Sequence, residues 1–164
     1  MVYIPEIIDY KPFYIQTDAD SNAIDTLNWG LVAKTNPFPA MPSPKEPYKN
    51  EWLDEHGDDE YVEKMYYEAF EFDVTFYIKA KGDEAARDIV TQVNSFFDSI
   101  KQGEFLIYDS YTGIGRRKVR YAGFKEEEYK SGQGWTRAIF TVTFKVNDPI
   151  TRVIYEGGRL VAEV

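Results

Sequence analysis

From residue 70 to residue 146 the spacing of apolar positions changes period once and then changes back. Phe70, Phe72, Val74, Phe76 and Ile78 alternate with Glu71, Asp73, Thr75, Tyr77 and Lys79, the two-residue period of a strand with one face in a core and the other in water. Gly82 breaks that strand, and Asp83 is placed to cap a helix by accepting from its first free backbone donors. Ile89, Val93, Phe96, Phe97 and Ile100 then draw an apolar stripe along a helix of about residues 83–102, which must lie on a sheet and stops at Gly103. Three strands are expected next. Residues 104–109 form a short one, residues 110–115 a turn, and residues 116–124 its antiparallel partner. After a polar tip at 126–134 the chain returns through 135–146, where Ala138, Phe140, Val142, Phe144 and Val146 point one way. Asn147-Asp148-Pro149 ends that strand, and residues 151–164 hold a last hairpin across Gly157-Gly158.

The first half is less regular. Residues 1–16 are apolar but interrupted by Pro5 and Pro12, which suits an edge strand or an arm laid on a neighbour. A strand is expected at 29–33. Residues 35–50 hold five of the eight prolines, so they read as an ordered loop of extended backbone. Two PxxP frames occur there, at Pro39 to Pro42 and Pro44 to Pro47, but matches this short arise by chance and a plain loop outweighs a peptide motif. Residues 51–64 gather Asp54, Glu55, Asp58, Asp59 and Glu60 beside the sole histidine, His56. Their spacing fails the alternation that a calcium loop requires, so a solvated turn around Gly57 is the better account.

These elements define an α+β, β-rich fold, an antiparallel β-sandwich or split barrel with one flanking helix, organised as a single domain over 1–164. Aromatic residues make up 16% of the chain, which favours sheet and supplies interface anchors. Without cysteine there is no disulfide framework, thiol nucleophile or thiolate metal site. No apolar run is long enough for a membrane span and no basic-then-apolar leader opens the chain, so a cytosolic product with no membrane partner is expected. The net charge of −9 is uneven: residues 1–80 hold 16 acids and 6 bases, and residues 81–164 hold 12 acids and 13 bases. That balance argues against a free nucleic-acid binder, although an acidic channel would let DNA slide through.

No catalytic set emerges. The single histidine lies in an acidic turn, no Gly-x-Ser-x-Gly element or phosphate loop is present, and no spacing singles out a carboxylate pair among 28 acids. No cofactor or metal is implied. The basic run Arg116, Arg117, Lys118, Arg120 is expected to be split by strand alternation, with Arg116, Lys118 and Arg120 on one face and Arg117 on the other, in salt bridges or in water.

The order of these motifs carries a likeness. A Pro-rich connector ends near Lys49; an acidic His56-Gly57-Asp58 turn, the alternating strand through Ile78 and the helix follow. Then come GEFLIYDSYTG, RRKVRYAGF and a long strand closing on FKVNDP. This succession resembles the N-terminal domain of the distal tail protein of tailed bacteriophages, over roughly residues 25–155. The resemblance implies a tail-tube-like fold and a homohexameric ring that joins the tail tube protein to the baseplate or tip proteins. DNA would only pass through its lumen, and the protein would reside in the virion tail after synthesis in the bacterial cytoplasm. Because the chain ends soon after Asp148-Pro149, a C-terminal carbohydrate-binding domain is not expected, nor direct host recognition. Interface residues expected on this view are Tyr3, Ile7, Tyr10 and Phe13 in the arm, Trp29, Trp135 at a strand start, and Tyr111, Arg116, Arg117 and Lys118. The alternatives are a tail tube or terminator protein and, from another class, a small acidic module gripping a peptide or sugar through Trp29 and the Pro37 to Pro47 region.

Overall fold

The computed structural model describes residues 1–6, 12–18, 20–33 and 41–163, and excludes the side chains of Glu126 and Glu127. In chain order the elements are β1 (Phe13–Gln16), β2 (Ile24–Asp25), a 3₁₀ turn (Thr26–Trp29), β3 (Val32–Ala33), β4 (Lys49–Asn50) and β5 (Asp59–Glu60). They continue with β6 (Phe70–Lys81), α1 (Ala85–Ile100), β7 (Phe105–Asp109), β8 (Ile114–Gly132), β9 (Trp135–Asp148), β10 (Arg152–Glu156) and β11 (Arg159–Glu163). Seven strands make one antiparallel sheet in the order β2-β1-β7-β8-β9-β6-β3.

The centre of this sheet is the β6–β9 pair, which puts Phe72 opposite Phe144, Val74 opposite Val142, Phe76 opposite Phe140 and Ile78 opposite Ala138. All eight are buried, as the alternation predicts. Ile89, Phe96 and Ile100 of α1 cover them, each worth about 1.5–3 kcal/mol of burial. Phe97 is the exception to the expected stripe, being 40% exposed at the rim, where its ring meets Tyr121 edge-on. In a flat sheet β1 would lie four strand spacings, about 19 Å, from β6. The Phe13 and Phe76 rings nevertheless stand 6.5 Å apart. The sheet is therefore rolled into a split barrel around its aromatic core.

Several expectations change. The strand expected at 29–33 is present only as Val32–Ala33; Trp29 ends a 3₁₀ turn over Thr26–Trp29, in which the Asp25 carboxylate accepts from the Leu27 N–H and which Gly30 leaves at φ 73°. Asp83 does not cap α1; it lies inside a turn in which the Ala85 N–H donates to the Gly82 carbonyl at 3.3 Å, so the cap position falls on Glu84, which makes no side-chain cap bond. The polar tip at 126–134 is strand up to Gly132, and only Gln133 and Gly134, both at positive φ, form the two-residue turn. Phe13–Gln16 is an internal strand between β2 and β7, while the first residues close the edge of β6 on their own chain: Val2 bridges Ala80, and the Tyr3 N–H donates to the Lys79 carbonyl at 2.9 Å.

The Pro-rich loop and the acidic turn are two sides of one ribbon. Glu68 donates to the Ser43 carbonyl, Pro44 bridges Tyr67, Lys45 donates to Tyr66, and β4 pairs with β5 farther out. No residue from 41 to 69 is buried. The Pro39 to Pro42 frame lies partly outside the described residues.

On the sheet face away from α1, the β10–β11 hairpin covers the β1–β7–β8 end. Gln16 fixes it like an extra ladder rung: the Leu160 N–H donates to its Oε1 at 2.6 Å, and its Nε2 donates to the Leu160 carbonyl at 3.2 Å. Tyr155 stacks on Tyr14 and Tyr108, and Val153 closes over Gly115. A Cβ at 115 would run onto the Val153 carbonyl oxygen and stand 2.8 Å from its Cβ. Gly115→Ala is therefore expected to lose about 1–3 kcal/mol in urea unfolding through overpacking, and Phe76→Ala about 3–5 kcal/mol through the cavity it leaves. A Gly115→Ala variant as stable as its parent would mean that the hairpin does not seat on β8.

Candidate interaction surfaces

The structure distributes the expected interface residues very unevenly. Phe13 and Trp29 are core residues, 2% and 7% exposed. The Trp29 ring packs edge-on against Phe96, and its indole N–H donates to Ser95 Oγ at 3.3 Å, so it is closed to a peptide or sugar. Alternation around Trp29 looks the same for a strand and for a short 3₁₀ turn, and only the Asp25 cap and Gly30 separate them. Ile7 and Tyr10 lie outside the described residues. Tyr111 is 72% exposed on the β7–β8 turn, whose shape is held by Asp109: its carboxylate accepts from the Tyr111 N–H at 2.9 Å and the Thr112 hydroxyl at 2.7 Å.

The basic run does not split as expected. Phe105 stands opposite Val119 but Ile107 opposite Arg116, so β8 carries one extra residue there, with Lys118 at φ 54°. That bulge resets the alternation. Arg116 is buried, its Nε is unpartnered, and desolvation lowers its guanidinium pKa against the favourable field of Asp148. Arg117 is engaged within its own chain, donating from Nε to Asp148 Oδ2 at 2.6 Å. Lys118 alone of the three is exposed.

Asp148 ties the end of β9 to the hairpin. Burial would raise its carboxyl, but the Thr151 hydroxyl, Arg117 and the Thr151 and Ile150 N–H groups together hold it well below the usual carboxylate range. A folded-state pKa below the unfolded one adds stability above the unfolded value near 4, and this is lost as pH falls through the folded one.

The open surface of the molecule is the outer face of β6, β9 and β8. Register lines its residues into rows. Lys79, Arg137 and Lys130 stand directly opposite one another across the three strands, as do Glu71, Lys145 and Arg120 at the other end. Thr75 and Thr141 bond each other between them, and Asp73 accepts from Thr143. Trp135, half-buried where an exposed ring was expected, meets Tyr3 edge-on with centroids 6.3 Å apart. Lys79 sits 4.3 Å from the Tyr3 centroid, and Lys81 5.7 Å from that of Trp135. Sequence reasoning missed this cationic cluster because its members come from three strands, and only the pairing register brings them together.

A second open feature is the edge of β8. Its partner β7 reaches only Val119, so residues 120–132 face no strand on that side among the described residues. Beside it an apolar cavity of about 220 Å³ lies between α1 and β8, lined by Val93, Phe97, Tyr121 and Phe124. Among the described residues no group of three acidic, histidine or cysteine side chains is placed to hold a metal ion, and no helix is long and apolar enough to cross a membrane.

The class these features define is a β-rich antiparallel sheet rolled over one helix. In particular, the chain is similar to the crystal structure of the SPP1 Dit protein (gp 19.1), described as a paradigm of the hub adsorption apparatus in phages that infect Gram-positive hosts, with a TM-score of 0.57 and 15% identity. The match covers 88% of this chain and 53% of that one, so the chain spans about half the length of the protein it resembles. No protein-family model matches the chain, and no curated protein matches it by sequence.

Asp148→Asn is expected to cost about 1–2 kcal/mol at pH 7, discounted for the partial exposure of the pair, and to cost progressively less as pH falls below about 4. Urea unfolding at pH 7 and pH 3 measures this. An equal loss at both would remove the ionised carboxylate from the account.

Proposed function

We propose that the chain is a structural protein of a phage tail, of the distal tail type. Six copies close a ring at the far end of the tail, joining the tail tube to baseplate or tip proteins and leaving a channel for DNA. The observation that carries this reading is the fold likeness to SPP1 Dit over nearly the whole chain. The physical character of the surface supports it. A ring built by cyclic symmetry needs two different patches per subunit that meet each other. This chain offers a β8 edge that faces no strand beyond Val119 among the described residues, an exposed ribbon at 41–69 and the charged outer face of β6, β9 and β8.

The role is one of assembly and not of catalysis, with no sequence-specific reading of nucleic acid: DNA is a passenger in the lumen. Its place is the virion tail, after synthesis in the host cytoplasm. Native mass spectrometry, paired with negative-stain images, is expected to give a species near six times 19.1 kDa with a central hole. Tubes of indefinite length would assign the chain to the tail tube instead, and a monomer at every concentration and salt would overturn the self-assembling ring.

A further inference from the structure

The outer sheet face gathers cations that acidic side chains compensate only in part among the described residues. Lys79, Arg137 and Lys130 are directly opposite neighbours on adjacent strands, a placement that is destabilising for like charges. Lys81 and Lys125 extend the cluster along the same face. Of these five, only Lys130 has an ion pair among the described residues, with Glu128 at 3.2 Å. Cations gathered in register on a protein of net charge −9 call for an anion from outside the face.

The same chain carries the complement. The ribbon segment 46–63 holds eight acids against one lysine, Lys49, which Glu46 and Glu51 already engage at 2.9 and 3.0 Å. Among the described residues Asp54, Glu55, Glu60 and Glu63 make no salt bridge, whereas Asp58 lies 3.8 Å from Lys49. Trp52 is 52% exposed beside them and Leu53 is fully exposed, apolar surface that a free hairpin tip gains nothing by showing to water. Acids flanking an apolar tip match cations flanking the Tyr3 and Trp135 rings.

We propose that the Lys79–Arg137–Lys130 face is the docking site for the acidic 46–63 ribbon of a second copy of this chain, a head-to-tail contact between two different patches. This rests on the ring reading above and names the contact that closes it. Arg116 and Arg117 do not serve it: the first is buried and the second is held by Asp148.

The test is a charge swap read by native mass spectrometry and light scattering. Face variant Lys81→Glu/Lys130→Glu/Arg137→Glu and ribbon variant Asp54→Lys/Glu55→Lys/Glu60→Lys/Glu63→Lys are each expected to weaken self-association at least about a hundredfold. Mixed in equal amounts they are expected to assemble again, alternating around the ring. Arg137→Glu alone is expected to raise the melting temperature of the dissociated chain by about 1–3 °C, since it places an acid between Lys79 and Lys130, while weakening assembly. A merely structural role would move both the same way. Rings that persist in either multiple variant overturn this contact and leave the ring reading intact. A wild-type chain that never self-associates overturns both. Variants that lose assembly without recovering on mixing overturn the pairing of these two patches. Retention of a fluorescent DNA duplex by the wild type, lost in the face variant, with self-association unchanged, would assign the face to nucleic acid and overturn the second copy as its occupant.

Discussion

The register between β6 and β9 is the constraint on which the rest of the molecule depends. Phe76 opposite Phe140 and Lys79 opposite Arg137 are consequences of one alignment over twelve residue pairs. A slip by one residue would put Lys79 and Thr75 into the helix-covered core and Phe76 into water, so the burial of four aromatic and aliphatic pairs enforces the alignment. The helix reads the same register from above, since Phe96 packs on Phe76 with ring centroids 5.6 Å apart. Core and surface are thus not independent. The alignment that buries the aromatics also stacks cations on the other side, and the core burial outweighs the few tenths of a kcal/mol each like-charge neighbour costs.

Curvature follows from the same centre. The long β8 stays paired with β9 while the sheet rolls by inserting an extra residue at two bulges, between Tyr121 and Gly123 and between Glu126 and Glu128, and it carries a third extra residue against β7, near Lys118. Each adds local twist, which brings β1 round to face β6. The short β2, β3 and N-terminal segments then finish the edges, and the amine of Met1 reaches Asp88 in the first turn of α1 at 2.7 Å. That carboxylate also suits the helix N-terminus.

The elements legible in the sequence are those whose burial repeats. The β6 and β9 alternation, most of the α1 stripe and the Gly157-Gly158 hairpin stand where periodicity puts them, because each has one face against a core and the other in solvent. What was not legible is set by single residues or by contact across the chain. Lys118 gives no local sign that it will take a left-handed conformation, yet that one residue buries Arg116 and turns a basic run into three unlike environments. The pairing of the Pro-rich segment with the segment beyond the acidic turn is nonlocal, with prolines on one side only, so composition presents two loops where the chain makes one ribbon. Trp29 fails for a different reason, since its ring fills the core from a turn too short to have a period.

The bulges also decide which side chains the outer face presents. Val119 and Tyr121 stand opposite the buried Val146 and Phe144, so odd-numbered residues of β8 begin on the inner face. The bulge before Gly123 reverses that phase and brings Lys125 outward, opposite Thr141; the bulge before Glu128 reverses it again and brings Lys130 outward, opposite Arg137. With only one of the two, Lys130 would point inward and Tyr129 would take its place in the row. Two insertions that look like irregularities in a strand are what keep the cationic row continuous across three strands. The outer face is therefore written by backbone geometry as much as by composition, and charge totals for each half of the chain could not have placed it.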